Sequence, residues 1–285
     1  MVKIIVLITH QHIGGGNKNN IFNGSILSSI LGGKENIISA STQSSIVGGL
    51  TNSVVDSVNS IIGGGRGNTM KGSDRSIIAV GVGNTLTDSS YSNIGGGVGN
   101  TLTDTSHSII TGGQYNSISG GTGITIVGGA GNEINISSDN SIIGGGNSNQ
   151  ILGSSKSSVI VAGSSNLIDS TSGVSRLFIG AGYNNTISGN TTNSSIIGGD
   201  NNVVGHNNSH IIGSNIISLS DDTTYVQNLH VGGTTGSTQL TLVESFTPSS
   251  SGDTSGNIGS VAWDDTYLYT KTNTGWGRIV WDYTF

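Results

Sequence analysis

The chain has 285 residues, of which 48 are glycine, one is proline and none is cysteine; 9% are charged and the formal net charge is −6. So much glycine excludes a largely helical protein, since each costs roughly 1 kcal/mol inside a helix. The scarcity of proline and the lack of a three-residue glycine period exclude collagen. An apolar fraction of 33% at low charge is unlike a disordered chain, the acidic balance argues against nucleic acid as partner, no apolar run is long enough for a transmembrane helix, and the missing cysteines remove disulfide staples and thiolate metal sites.

In chain order, Met1-Val2-Lys3 and the apolar run Ile4-Ile5-Val6-Leu7-Ile8 come first. The run is short, and His10-Gln11-His12 stands where small cleavage-site residues would belong in a signal peptide. Residues 1–19 are therefore read as a buried capping strand.

From residue 20 the chain repeats. Asparagine recurs every 16 residues at Asn20, Asn36, Asn52, Asn68, Asn84, Asn100, Asn116 and Asn132, then with slight slippage at Asn149, Asn166, Asn185 and Asn202. Two positions after each stands an apolar residue, from Phe22, Ile38, Val54 and Met70 through Leu86, Leu102, Ile118 and Ile134 to Val204. Six positions before it, from the second copy on, stands isoleucine: Ile30, Ile46, Ile62, Ile78, Ile94, Ile110, Ile126, Ile143, Ile160, Ile179 and Ile196. The two columns lie half a repeat apart. Two short strands per repeat, about five residues each with turns of about three, each turning one apolar rung inward, account for this spacing. The expected fold is all-β: a parallel β-solenoid, or β-roll, of about twelve coils of 16–19 residues stacked at about 4.8 Å.

Three positions before the asparagine the residue is always glycine from the second copy on: Gly33, Gly49, Gly65, Gly81, Gly97, Gly113, Gly129, Gly146, Gly163, Gly182 and Gly199. A corner with positive φ, or a very close approach of backbones, demands this. A second glycine column, including Gly16, Gly32, Gly48, Gly64, Gly96 and Gly112, falls just before it. The asparagine amide is expected to bond to its own turn and to the asparagine one coil away, as a ladder.

Side chains flanking each rung report what lies outside the coil. Around the second strand they are mostly polar: Ser53, Thr69, Thr85, Thr101, Ser117, Glu133, Gln150 and Thr186. Around the first strand many are apolar: Leu31, Val47, Ile61, Ile77, Ile109, Val127, Ile142, Val159, Val161, Phe178 and Ile197. A strand apolar on both faces should be covered on both, which predicts a homo-oligomer, a homotrimer ahead of a dimer.

Segments such as Ser60-Ile61-Ile62-Gly63-Gly64-Gly65, Ser141-Ile142-Ile143-Gly144-Gly145-Gly146 and Ser195-Ile196-Ile197-Gly198-Gly199 resemble the coils of trimeric autotransporter adhesin heads over residues 20–217. That resemblance implies a left-handed parallel β-roll associating as a trimer. The 16-residue period and the Gly-x-x-Asn turn depart from the usual shorter coil of those heads.

Residues 218–256 read as a Thr/Ser-rich transition and linker, in which Tyr225, Leu229, Val231, Leu240 and Leu242 suggest short strands. Residues 257–285 read as a small aromatic β-unit with strands at Val261-Ala262-Trp263, Tyr267-Leu268-Tyr269 and Ile279-Val280-Trp281, and turns at Asp264-Asp265 and Asn273-Thr274-Gly275. Seven of the fourteen aromatic residues lie in the last thirty positions, the means by which a short unit without cysteine builds a core. The string Gly259-Ser260-Val261-Ala262-Trp263-Asp264-Asp265-Thr266-Tyr267-Leu268-Tyr269, ending near Trp276-Gly277-Arg278-Ile279, resembles the terminal segment of phage and large-virus fibre proteins. Ile279, Trp281, Tyr283 and Phe285 alternate as in an outer-membrane barrel strand, but the charged Asp264, Asp265 and Lys271 interrupt the neighbouring strands, so membrane insertion is not expected.

Candidate chemistry is sparse. His10 and His12 place two imidazoles on one strand face, and the fibre resemblance implies that such a pair from three chains could hold an axial metal ion; imidazole suits that chemistry, though a lone His pair also reads as plain surface. Gly128-Gly129-Ala130-Gly131-Asn132 is similar to calcium-binding β-rolls, yet carries Asn for Asp and the wrong period. Asp88 and Asp104 recur in adjacent coils at a glycosidase-like spacing, but follow Asn-Thr-Leu-Thr, where Asp is an ordinary turn residue. Thr85, Thr87, Thr101 and Thr103 form a small grid of the ice-binding kind that breaks at Lys71 and Val55. The expectation is a non-enzymatic viral or phage fibre protein, on a virion surface or extracellular, contacting a glycan or protein receptor on a host. A bacterial surface adhesin or filament-forming protein and a glycan-cleaving tailspike remain as alternatives.

Overall fold

The computed structural model describes residues 10–22, 24–135, 137–173, 175–229, 247–255, 258, 260–264 and 267–280. They are all-β, with no helix among them, and fall into two units, 1–228 and 229–285.

The first unit is a parallel β-solenoid. Its first sheet has 14 strands, from His12–Ile13 to Thr224–Val226, and its second has 12, from Asn20–Ile21 to Val203–Val204. The chain alternates between the two sheets and makes about 13 turns. Register is in phase throughout: Ile46, Ile62, Ile78 and Ile94 pair in series in the first sheet, and Val54, Met70, Leu86 and Leu102 in the second. From Ile30 to Ile211 the rung residues of both columns are fully buried, so two facing files of aliphatic side chains make one continuous core. Coiling runs past Ile217, because Thr224–Val226 still pairs in parallel with His210–Ile212. There Ile216 and Tyr225 pack against the last of the core, and the Tyr225 hydroxyl accepts the N–H groups of Leu219 and Ser220 at 2.7 and 2.9 Å.

Two details differ from the sequence expectation. The strands hold two to four residues, not about five. Each regular coil spends residues on left-handed corners instead: in the coil of Asn52 these are Gly49, Thr51, Asp56 and Asn59. Single-residue bridges, Leu50 to Arg66 and Thr42 to Val58 among them, continue the pairing beyond the strands. The first copy also sits one residue earlier than its doublet Asn19-Asn20 suggested. Asn19 begins the ladder, Ile21 is the buried rung and Phe22 is 46% exposed; Gly16, with φ of 93°, then belongs to the obligatory glycine column.

That column meets both of its expected demands. Gly113 has φ of 90°, and a Cβ there would overlap the carbonyl oxygen of Gly129 in the next coil. The column just before it meets neither: a Cβ on Gly112 would touch nothing within 4 Å.

The asparagines lie buried at this corner. The Asn100 N–H donates to Asn84 Oδ1 at 3.0 Å, and Asn100 Nδ2 donates to the carbonyls of Gly96 at 2.9 Å and Gly113 at 3.1 Å. The same set recurs from Asn36 to Asn202. Each amide thus satisfies backbone groups of its own turn and of the following coil, whose asparagine N–H its Oδ1 accepts, which a buried corner requires.

The second unit contains an antiparallel sheet of three strands, Val261–Trp263, Tyr267–Thr272 and Gly275–Val280. Thr272 pairs with Gly275 across the tight turn, where Gly275 has φ of 131°. Ala262, Tyr269 and Trp276 are buried together, with Tyr267 packed against them. Met1–Ile8, Val231, Leu240, Leu242, Asp265, Trp281, Tyr283 and Phe285 lie outside the described residues.

Candidate interaction surfaces

The outer face of the first sheet carries the residues on either side of each buried isoleucine. Leu31, Val47, Ile61, Ile77, Ile109, Val127, Ile142, Val161, Phe178, Ile197 and Ile212 all stand here, each between 36% and 53% exposed. Soluble monomers seldom expose apolar surface in so continuous a row.

Within that row the two outward positions of each coil compensate. Ser29, Ser45, Thr125, Ser195 and His210 accompany the large residues Leu31, Val47, Val127, Ile197 and Ile212. In the coils of Ile61, Ile77, Ile142 and Phe178 the order reverses, and the partners are Gly63, Ala79, Gly144 and Gly180. Ile109 with Thr111 follows the same rule. Val159 and Val161 share one coil as two mid-sized residues, and only Asn93 with Gly95 has no aliphatic. Nearly every layer therefore offers one large apolar side chain, a near-constant volume that solvent alone does not impose.

The outer face of the second sheet is mostly polar, with Ile37 its exposed aliphatic. Thr85 and Thr87 pair with Thr101 and Thr103, and the grid ends at Lys71 on one side and passes into Ser117 and Ser119 on the other. Glu133 accepts from Gln150 Nε2 at 2.9 Å and from Asn135 Nδ2 at 3.3 Å. Along its edge a shallow groove of about 440 Å³ runs over four coils, past Ser148, Ser165 and Asn184.

The remaining candidates are dispersed. His10 and His12 are both exposed at the first coil, and no group of three or more His, Asp or Glu side chains gathers for a metal among the described residues. Asp88 and Asp104 occupy left-handed corners, with φ of 48° and 53°, and the Asp88 carboxylate leans over Gly72, one coil away on the side opposite Asp104.

No protein-family model matches the chain. No curated protein matches it in sequence either.

Two buried serine rows, not singled out in the sequence, run along the corner opposite the asparagines. The N–H groups of Ser60, Ser76 and Ser92 donate to the Oγ of Ser44, Ser60 and Ser76 at 3.1–3.3 Å. Those of Ser57, Ser73 and Ser89 donate to Ser41, Ser57 and Ser73 at 3.1 Å. Each row keeps the 16-residue period, which was the available signal, but serine is common enough in this chain to hide it. No buried side-chain nitrogen or oxygen lacks a partner among the described residues. The polar groups that recur most strictly in the sequence are thus committed to the fold, and the surfaces left for partners are the outer faces.

Proposed function

We propose that the chain is a non-catalytic structural subunit of an attachment fibre. It associates with two further copies through the outer face of the first sheet and presents its polar surfaces and its C-terminal unit to a host surface. The observation that carries this reading is the row of large apolar side chains, one in nearly every layer from Leu31 to Ile212, along the outer face of the first sheet. Covering a half-exposed isoleucine contributes about 1 kcal/mol, so the stabilisation is spread along the rod and no single side chain dominates it. The choice of three copies, and of a viral or phage fibre on a virion or extracellular surface, rests on the resemblances of the coils and of the terminal segment.

Light scattering on the full chain tests the reading. The expected mass is about three times the 28.8 kDa of one chain, and a stable monomer in dilute solution would overturn it. Electron images of the same sample separate discrete fibres from end-to-end filaments.

A further inference from the structure

We infer that the C-terminal unit holds a binding site for a carboxylate-bearing sugar, a uronic or sialic acid at the end of a glycan. This rests on the attachment reading and names its ligand class. A cavity of about 470 Å³ lies between the segment Thr247–Ser251 and the three-stranded sheet, walled by Tyr269, Trp276 and Arg278. Most groups around it are already committed. The Trp276 N–H groups donate to carbonyls, the backbone one to Ser251 at 2.8 Å and the indole one to Ser255 at 3.1 Å. The Tyr269 hydroxyl donates to Asp264 at 2.6 Å. Lys271 donates to the Asp253 carbonyl and lies over the Trp276 ring at 5.4 Å.

Arg278 differs. Its guanidinium lies over the Tyr267 ring, 4.6 Å from the centroid, and no carboxylate among the described residues is within ion-pair distance of it. Stacking on an aromatic face orients a guanidinium while leaving its in-plane N–H donors available, and these match a carboxylate in a two-pronged contact. In a chain of net charge −6, an arginine on a cavity wall with no carboxylate partner among the described residues favours an anionic ligand. The Thr247 hydroxyl donates to Asp264 at 3.0 Å, whereas Ser250 and Ser251 line the cavity with hydroxyls that both donate and accept, as sugar hydroxyls do, and the aromatic walls suit the apolar face of a sugar ring. The volume fits a terminal sugar rather than a folded partner.

Calorimetric titration of the full chain with sialyllactose, tri-galacturonate, lactose and lactose sulfate tests this. Saturable binding of at least one carboxylated sugar is expected, with lactose and lactose sulfate bound at least about tenfold more weakly. Arg278→Gln should weaken the carboxylated sugar by about tenfold or more, Arg278→Lys should weaken it less, and Ser250→Phe, placed at the mouth of the cavity, should abolish it while the circular dichroism is retained. No binding of either carboxylated sugar at millimolar concentration, equal binding by the sulfated or neutral sugar, or unchanged affinity in both Arg278→Gln and Ser250→Phe would overturn it. The mass of the assembly, measured on the same sample, reports on the fibre reading separately.

Discussion

Gly112 and Gly113 are neighbours at one corner, yet only the second is forced to be glycine. Gly113 combines φ of 90° with a Cβ position filled by the next coil's carbonyl, whereas Gly112 faces open space. Gly113→Ala should therefore cost about 2–4 kcal/mol, from left-handed strain plus overpacking, and Gly112→Ala no more than about 0.5 kcal/mol. Paired denaturant midpoints of the two variants check this; equal effects would deny the steric account. The glycine and asparagine columns were legible because each position admits one residue type. The serine rows were not, since a hydroxyl that bonds to a neighbouring coil looks in sequence like any surface serine. The Asn19-Asn20 doublet misplaced the first copy for a related reason: either residue satisfies the pattern, and only burial of Ile21 over Phe22 decides between them.

At the level of an element, the two corners of a coil follow one rule. A buried asparagine is preceded three residues earlier by a left-handed glycine, while a buried serine, as at Ser60 and Ser76, is preceded by serine, Ser57 and Ser73. At two corners an aliphatic takes the serine's place: Leu177 is buried there with no glycine three residues earlier, and Gly121-Thr122-Gly123-Ile124 is the one that has gained a glycine. Here the serine corner holds a fully buried isoleucine, and it has acquired the glycine, with φ of 90° and a Cβ position 2.9 Å from Ile124 Cδ1. Gly121→Ser alone should destabilise by overpacking and strain, and Ile124→Ser alone by leaving a void. The double variant should recover stability, with a coupling of about 1–3 kcal/mol in a double-mutant cycle; simple additivity would refute the rule.

The C-terminal sheet makes a different prediction. Its three strands were legible from aromatic clusters, but their lengths were not, because Thr270, Lys271 and Thr272 carry no apolar signal and extend the hairpin through pairing alone. The hydrogen bond to Asp264, aided by burial, pushes the Tyr269 pKa up to about 12. A phenol raised above its ordinary value near 10 stabilises the fold fully below that pH and loses the contribution as pH climbs through 12. Near-ultraviolet circular dichroism should show the unit loosening over this window, less steeply in Tyr269→Phe. Asp253 behaves in the opposite sense. Hydrogen bonds from the Ser255 hydroxyl first, and from Ser249, hold its carboxyl below the usual range, so its contribution is present above about pH 4 and fades as the medium becomes more acid.

For the whole molecule, the outer row of the first sheet decides between a free rod and an assembled one. Ile109→Asp with Ile142→Asp places two charges where the proposed fibre is dry, without touching the buried rungs Ile110 and Ile143. Light scattering should show the mass falling toward one chain while the circular dichroism of the coils persists; an unchanged mass would place the interface elsewhere. The sequence made the apolar row visible but not its one-per-layer compensation, which emerges only when the two outward positions of each coil are set side by side in the paired register. The large residue sits before the buried isoleucine in some layers and after it in others, and the order down the rod is irregular: after, after, before, before, absent, before, after, before, both, before, after, after. A series with no short period cannot be slid one step along a copy of itself and still match. Between the aligned copies of the proposed fibre it would work as an address, opposing a staggered assembly that the regular stacking of the backbone would otherwise accept.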